Sequence, residues 1–474
     1  MADANAASNA RPVVVIGAGL AGAEAAWQCA AAGLPVRLYE MRPGSNTPAH
    51  RTPHFAELVC SNSLRSDEPI SAVGCLKEEM RELGSLIIRS ADAARVPAGK
   101  ALAVDRDGFS RMVTDRVSGH PLITVAREEV MSLARLVAEP IRAVIVATGP
   151  LTADPLAREL LARTQTNALY FYDSLAPLVA AETIDMTRVF RASRYGVSVH
   201  CGSVPGGGIG DDYINCPMDE PLYTQFLAEV LRAEKVPVHD FEDAKFFEGC
   251  LPIEVMAERG PGTLRHGPMK PMGLRDPRTG REPYAVAQLR QDNAADTVYN
   301  MVGFQTRMKW PEQERIFRMI PGLAQAEFLR LGAMHRNTYL NSPLLLDERL
   351  RLKGEAGAVP IHFTGQITGV EGYVESAAMG LWVSLTITRD CTPPPQTTAL
   401  GALIHHVAHG NPQKFEPQNA HWGLTPRLEM SGNSRDRKEG FMRRARADFA
   451  KWLEGHSDNI PTLACKSNLD RPTT

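Results

Sequence analysis

The stretch Val13-Val14-Val15-Ile16-Gly17-Ala18-Gly19-Leu20-Ala21-Gly22 decides the fold. Four β-branched residues in a row, closed by glycine, read as a strand buried on both faces of a parallel sheet. The glycines follow the spacing Gly-x-Gly-x-x-Gly, and the alanine-rich residues after them read as a helix to about Ala32. Gly33 then stands where a helix end wants a left-handed residue, and residues 35–40 read as a second strand. Each part suits a bound dinucleotide. Gly17 permits the tight turn, Gly19 lets the backbone approach a pyrophosphate, and Gly22 lets helix and strand pack closely. The helix N-terminus offers unpaired N–H groups and a partial positive charge, so Ala18, Leu20 and Ala21 complete the cradle. Glu40, eighteen residues past Gly22, ends the second strand and can accept from a ribose hydroxyl, which favours FAD or NAD over NADP.

Two later segments favour FAD. The strand Val144-Ile145-Val146-Ala147-Thr148-Gly149 resembles the second signature of two-dinucleotide flavoproteins. The turn from Thr364 to Tyr373, with Gly365, Gly369 and Gly372, resembles their late flavin-contacting turn. A helix starting there can aim N–H groups at the flavin N1/C2=O edge. The predicted fold is therefore α/β, a Rossmann-type FAD-binding domain of the glutathione-reductase-like kind, split by an α/β insertion. The expected divisions are a disordered tail at 1–11, an FAD domain at 12–165 and 335–395, an insertion at 166–334, and a helical extension at 396–474. Within the first part, residues 74–91 carry apolar side chains at helical spacing and predict one amphipathic helix.

The chain has 474 residues, 52 basic and 54 acidic side chains, and a formal charge of −2. A hydrophobic fraction of 44% with 22% charged residues excludes a mainly disordered chain. The charge balance excludes a uniformly basic nucleic-acid binder, but not a local basic patch. No apolar run reaches membrane-spanning length, and the first twelve residues lack the pattern of a secretory signal. The eight cysteines form no C-x-x-C pair, which points to a reduced cytoplasmic protein without a structural metal.

Two cysteines sit in polar, patterned segments: Leu58-Val59-Cys60-Ser61-Asn62-Ser63-Leu64-Arg65 and Phe247-Glu248-Gly249-Cys250-Leu251-Pro252. A cation near the first could stabilise its thiolate. The other six read as packing residues. The glycine motif with Glu40, the two cysteine segments, the segment from Met334 to Pro343 and the 364–373 turn occur in an order that resembles the folate- and FAD-dependent tRNA (uracil-5-)-methyltransferases. GidA-type flavoproteins, relatives by fold, share the flavin pattern but not these cysteine segments.

The resemblance implies methylation of uridine C5, at U54 of the tRNA T-loop. The carbon comes from 5,10-methylenetetrahydrofolate, the electrons from reduced FAD, and NADH or NADPH restores the flavin. Uracil C5 becomes nucleophilic once a thiolate adds to C6, and a second group must take the C5 proton. Cys60 and Cys250 are the candidates for these roles, in an order the residues leave open. Asn62 and Arg65 are candidate flavin or folate contacts. For tRNA phosphates, two basic stretches are candidates: Arg259 to Arg281 and Arg435 to Arg446. The alternatives are the same chemistry on a ribosomal RNA uridine, an NAD(P)H-dependent flavin oxidoreductase, and a non-catalytic flavin-containing RNA-binding protein.

Overall fold

The computed structural model describes residues 11–47, 49–164, 169–196, 211–236, 251–354, 359–429 and 433–457. A five-stranded parallel sheet lies at its centre, in the order Ile361–Phe363, Ala143–Val146, Val13–Ile16, Val36–Tyr39, Ile123–Ala126. Val13 pairs with Val36 on one side and Ala143 on the other. All four residues of Val13–Ile16 and of Ala143–Val146 are buried, as the unbroken apolar runs require. Four strands come from the first 146 residues, and the fifth returns after a long excursion.

Two helices lie together against this sheet, Leu20–Ala31 and Tyr373–Arg389. Their backbones touch: a Cβ on Gly380 would stand 2.2 Å from the Ala21 carbonyl oxygen. That contact brings the starts of the two helices to the same edge of the sheet.

The excursion builds a second sheet of six antiparallel strands, in the order Phe190–Arg191, Tyr213–Met218, Ala285–Gln291, Val298–Met301, Leu178–Ala180, Phe328–Arg330. Its own core includes Phe226, Phe304 and Phe317. The chain enters and leaves it through a two-stranded ribbon, Leu169–Ser174 paired with Met334–Tyr339. A small antiparallel sheet that includes Ser63–Ser66 and Ala101–Val104 presents the Cys60 segment towards it.

The α/β class and the split parallel sheet agree with the sequence reading, but two local expectations need correction. Residues 74–91 do not form one helix. They divide into Ala72–Glu82 and Leu86–Ala93, because Gly84 turns into the left-handed region (φ 72°) and Ser85 caps a new start by accepting the Ile88 N–H. The C-terminal extension is not helical throughout: Ala399–His409 and Ser434–Gly455 are helices, and the chain between them is mostly irregular, with short 3-10 turns. The expected tail at 1–11 lies outside the described residues except for Arg11.

Candidate active site

A cavity of about 730 Å³ runs along the edge where the two helices begin. Gly17, Gly19, Leu20, Ala21 and Glu40 line one part of it, and Gly365, Gly372 and Tyr373 another. Among the described residues six α-helices are capped by a side chain, from Ser71, Ser85, Asp105, Asp219, Thr398 and Asn433, whereas Ala134–Val137, Ile253–Glu258, Thr263–His266, Trp310–Phe317 and Ser342–Leu345 are not. The two that open onto the cavity, with Gly19 and Gly372 at their N-caps, have no side-chain cap. Their first N–H groups have no intrahelical acceptor, so both ends can present donors to the cavity, and at the second the buried Glu375 carboxylate stands beside Gly372 as well.

The glycines divide by role. A Cβ on Gly22 would fall 1.8 Å from the Gly17 carbonyl oxygen, so Gly22 closes the helix onto the turn and does not itself line the cavity. Nothing lies within 4 Å of a Cβ built on Gly19, which faces open space. Gly369 (φ 83°) is packed under Phe415 and also stands off the cavity. Ala18 is buried, and its N–H donates to Glu40 Oε2 at 2.9 Å.

Glu40 is held from a second side by Arg42, whose Nε donates to Oε1 at 2.9 Å, while Arg42 Nη1 reaches Glu57 Oε2 at 2.9 Å. Burial pushes the Glu40 carboxyl up, but the bonds to Arg42 and its charge outweigh this and hold it below the usual carboxylate range. It is an anion at neutral pH, with lone pairs to spare for hydroxyl donors. Thr364 also lines the cavity, and its buried Oγ1 has no hydrogen-bond partner. Two uncapped helix starts, an ionised Glu40 and an orphaned hydroxyl fit an elongated dinucleotide such as FAD. The pyrophosphate would lie at Gly17–Ala21, a ribose at Glu40, and the flavin by Gly372 and Tyr373.

Cys60 lines the same cavity and is half-buried. Its loop is fastened by groups far away in sequence. Tyr373 Oη accepts the N–H of Cys60 at 2.8 Å and of Ser61 at 3.3 Å. Arg330 donates to the carbonyls of Val59 at 2.8 Å and Cys60 at 3.5 Å, and Arg106 donates to that of Leu58. Arg290 Nη2 reaches Ser61 Oγ at 2.5 Å.

Three guanidiniums thus surround the Cys60 loop, and one carboxylate, Asp292, pairs with Arg106 at 2.8 Å. Arg290 and Arg330 make no ion pair among the described residues. Burial, with Arg106 nearby, pushes Arg330 down to about 10. Even so, all three are cations at neutral pH, and their field favours a thiolate at Cys60.

Asn62 is fully buried and does not line the cavity. Its Nδ2 donates to the carbonyls of Val104 and Gln291 at 2.8 and 2.9 Å, and its Oδ1 accepts from Arg290 Nε at 3.0 Å. It ties the Cys60 loop to the second sheet and positions Arg290. Arg65 does line the cavity and pairs with the buried Glu375 at 3.0 Å. Cys250 lies outside the described residues, as do Cys201 and Cys465. Leu251, the first described residue after Cys250, lines the cavity. Cys29, Cys75, Cys216 and Cys391 are buried, and burial holds the thiols of Cys29 and Cys216 at about 12.

Arg106, Arg290 and Arg330 carry no sequence motif, and only the tertiary fold collects them. Of the basic stretches, the first is partly committed internally. Arg265 stacks 3.7 Å over the Tyr284 ring, and Arg278 pairs with Asp276 at 2.7 Å. In the second, Arg435 pairs with Glu439 and Arg446 with Glu78, whereas Arg437, Lys438 and Arg443 are exposed and make no ion pair among the described residues. Among the described residues no helix is long and apolar enough to cross a membrane, and no cluster of ligands could hold a metal.

Residues 12–393 match the family described as Glucose inhibited division protein A. The chain is 53% identical over 446 residues to the methylenetetrahydrofolate–tRNA-(uracil-5-)-methyltransferase TrmFO of Geobacter sulfurreducens, covering 93% of this chain and 98% of that protein. The protein of the same name from a Chelativorans species is 52% identical over 474 residues, covering 96% and 99%. The solved structure of Aquifex aeolicus GidA, in its form II crystal, aligns with a TM-score of 0.65 at 15% identity, over 94% of this chain and 74% of that one. That likeness concerns the fold. With matches of this identity over nearly the full length, the chain belongs to the GidA family and, within it, to the TrmFO proteins.

Proposed function

We propose that this protein methylates uridine C5 in tRNA, at U54 of the T-loop, with 5,10-methylenetetrahydrofolate as carbon donor, FAD as cofactor and NADH or NADPH as reductant. The carrying observation is that one cavity joins two uncapped helix starts to Cys60 within a ring of arginines. Bound and reduced, FAD supplies the electron pair that converts a transferred methylene to a methyl group. The protein has to do the rest. A thiolate adds to uracil C6, which moves charge onto O4 and makes C5 nucleophilic. After C5 has bonded to the methylene carbon, a base removes the C5 proton as the bond from that carbon to its carrier nitrogen breaks, and once the carbon has been reduced to methyl the thiolate leaves C6 and the ring double bond reforms. Cys60 and Cys250 share the roles of nucleophile and acid/base.

The arginines bear on two of these demands. They favour the thiolate form of Cys60, and Arg290, which lines the cavity, is placed to stabilise developing negative charge on a substrate oxygen. Exposed Arg437, Lys438 and Arg443 on the helix Ser434–Gly455 serve tRNA phosphates. The test is an assay with unmodified tRNA transcript, methylenetetrahydrofolate and NADH, with nucleosides analysed by mass spectrometry. Formation of 5-methyluridine that requires all three is the expected result. Oxidation of NADH without 5-methyluridine would leave only the oxidoreductase reading.

A further inference from the structure

Asn300 is 2% exposed, lines the cavity, and has a side-chain Nδ2 with no hydrogen-bond partner. A buried amide donor left unpaired costs roughly 1–3 kcal/mol, so such a group calls for a ligand. Its position defines which ligand it can meet. Asn300 lies in the strand Val298–Met301, directly opposite Arg290 of the neighbouring strand. Opposed residues in an antiparallel pair project from the same face of the sheet. Arg290 is anchored on Ser61 and Asn62, the two residues after Cys60. Asn300 therefore stands at the Cys60 end of the cavity with its donor uncommitted. Val302, Gly303 and Pro268 line the cavity nearby in sequence or contact, and a Cβ on Gly303 would fall 2.5 Å from Pro268 Cβ. These surfaces are apolar and close-set, and suit the face of a flat ring.

We propose that Asn300 binds the lactam edge of the planar heterocycle that reacts beside Cys60. Nδ2 donates to a ring carbonyl, and Oδ1 is left to accept the adjoining ring N–H. Two partners of the proposed reaction carry this edge, the uracil of the tRNA and the pterin of the folate. The inference thus rests on the methyltransferase reading and adds to it a recognition residue outside the flavin cradle and the cysteine segments.

The test compares FAD-loaded wild type with Asn300→Ala and Asn300→Ser. Because the Nδ2 is unpaired within the protein, its removal should not lower the melting temperature or the FAD content, where loss of a structural residue would lower them. Tetrahydrofolate binding is followed by flavin absorbance, and the methylation rate is measured against tRNA concentration. If the pterin is the ligand, the tetrahydrofolate Kd rises tenfold or more. If uracil is the ligand, kcat/KM for tRNA falls by a similar factor while the tetrahydrofolate Kd holds. Variants that keep wild-type values for both ligands, or that lose FAD, overturn the proposal. A wild type that makes no 5-methyluridine, but whose tetrahydrofolate binding depends on Asn300, sinks the methyltransferase reading and leaves this one standing.

Discussion

Tyr373 and Cys60 stand 313 residues apart in sequence, yet the Cys60 N–H donates to the Tyr373 hydroxyl at 2.8 Å. Tyr373 is the first residue of the helix Tyr373–Arg389, so this bond joins the Cys60 loop to a helix start that faces the cavity. The thiol segment and that uncapped helix start are thereby held in one frame. Burial, and the negative charge a Cys60 thiolate would bring, push the Tyr373 phenol well above its ordinary value, so it stays neutral while it accepts.

Tyr373→Phe removes the acceptor of two N–H groups, those of Cys60 and Ser61. The expected cost is roughly 1–3 kcal/mol in stability, together with a methylation rate lowered at least tenfold and FAD retained. Denaturant unfolding and single-turnover kinetics on the same preparation measure both. A variant with wild-type turnover would show that the bond does not position the thiol.

Arg330→Met removes a half-buried cation and the donor to the carbonyls of Val59 and Cys60. Alkylation of Cys60 by iodoacetamide at pH 7, located by peptide mass spectrometry, should slow several-fold, because less of the thiol is ionised. Arg330→Lys should restore part of the rate, since the charge returns without the fork of donors. Equal rates in all three proteins would remove Arg330 from the electrostatics of the thiol.

Gly22→Val should give protein without bound flavin. The new Cβ would meet the Gly17 carbonyl at 1.8 Å, and the helix cannot move away because Ala21 is pressed against Gly380. Absorbance of the purified protein near the flavin bands reads this directly. A yellow, fully loaded variant would mean that the glycine turn is not the pyrophosphate site.

His362 makes stability depend on pH. It is buried in the strand Ile361–Phe363, its Nδ1 lies 2.9 Å from the Arg349 carbonyl, and burial pushes the imidazolium down to about 4. The unfolded chain takes up this proton near its ordinary value of 6.5. Stability from this group is therefore complete above pH 6.5 and is lost as pH falls towards 4. Between pH 7 and pH 5 the loss is on the order of 2 kcal/mol. Urea titrations of wild type and His362→Gln at the two pH values should show a smaller pH difference in the variant; an identical difference would contradict the assignment.

What could be read from the chain and what could not divide along physical lines. The glycine turn, Glu40 and the Gly365–Gly372 turn were legible because local backbone geometry demands those residues at those spacings. The break at Gly84 was equally local, yet the apolar periodicity on both sides masked it. Arg106, Arg290 and Arg330 were not legible, because three separate elements meet at Cys60 only in the folded chain. Asn62 shows the same limit from the other side: its place beside Cys60 suggested a ligand contact, but all its hydrogen bonds go to protein groups.

Replacing Arg437, Lys438 and Arg443 together by Gln should raise the KM for tRNA and leave FAD content and NADH oxidation unchanged. The slope of log affinity against log salt should also flatten, by about 0.7–0.9 for each phosphate that is no longer neutralised. Filter binding at several salt concentrations measures it, and an unchanged slope would move the tRNA surface elsewhere.

In the proposed reaction one cavity brings a flavin and the Cys60 thiol to the same base. This is tested most directly by running the reaction with methylene-labelled tetrahydrofolate on wild type and Cys60→Ala, both loaded with FAD. Labelled 5-methyluridine is expected from the wild type, and none from the variant despite unchanged flavin content and unchanged NADH oxidation. Labelled product at the wild-type rate from Cys60→Ala would contradict it.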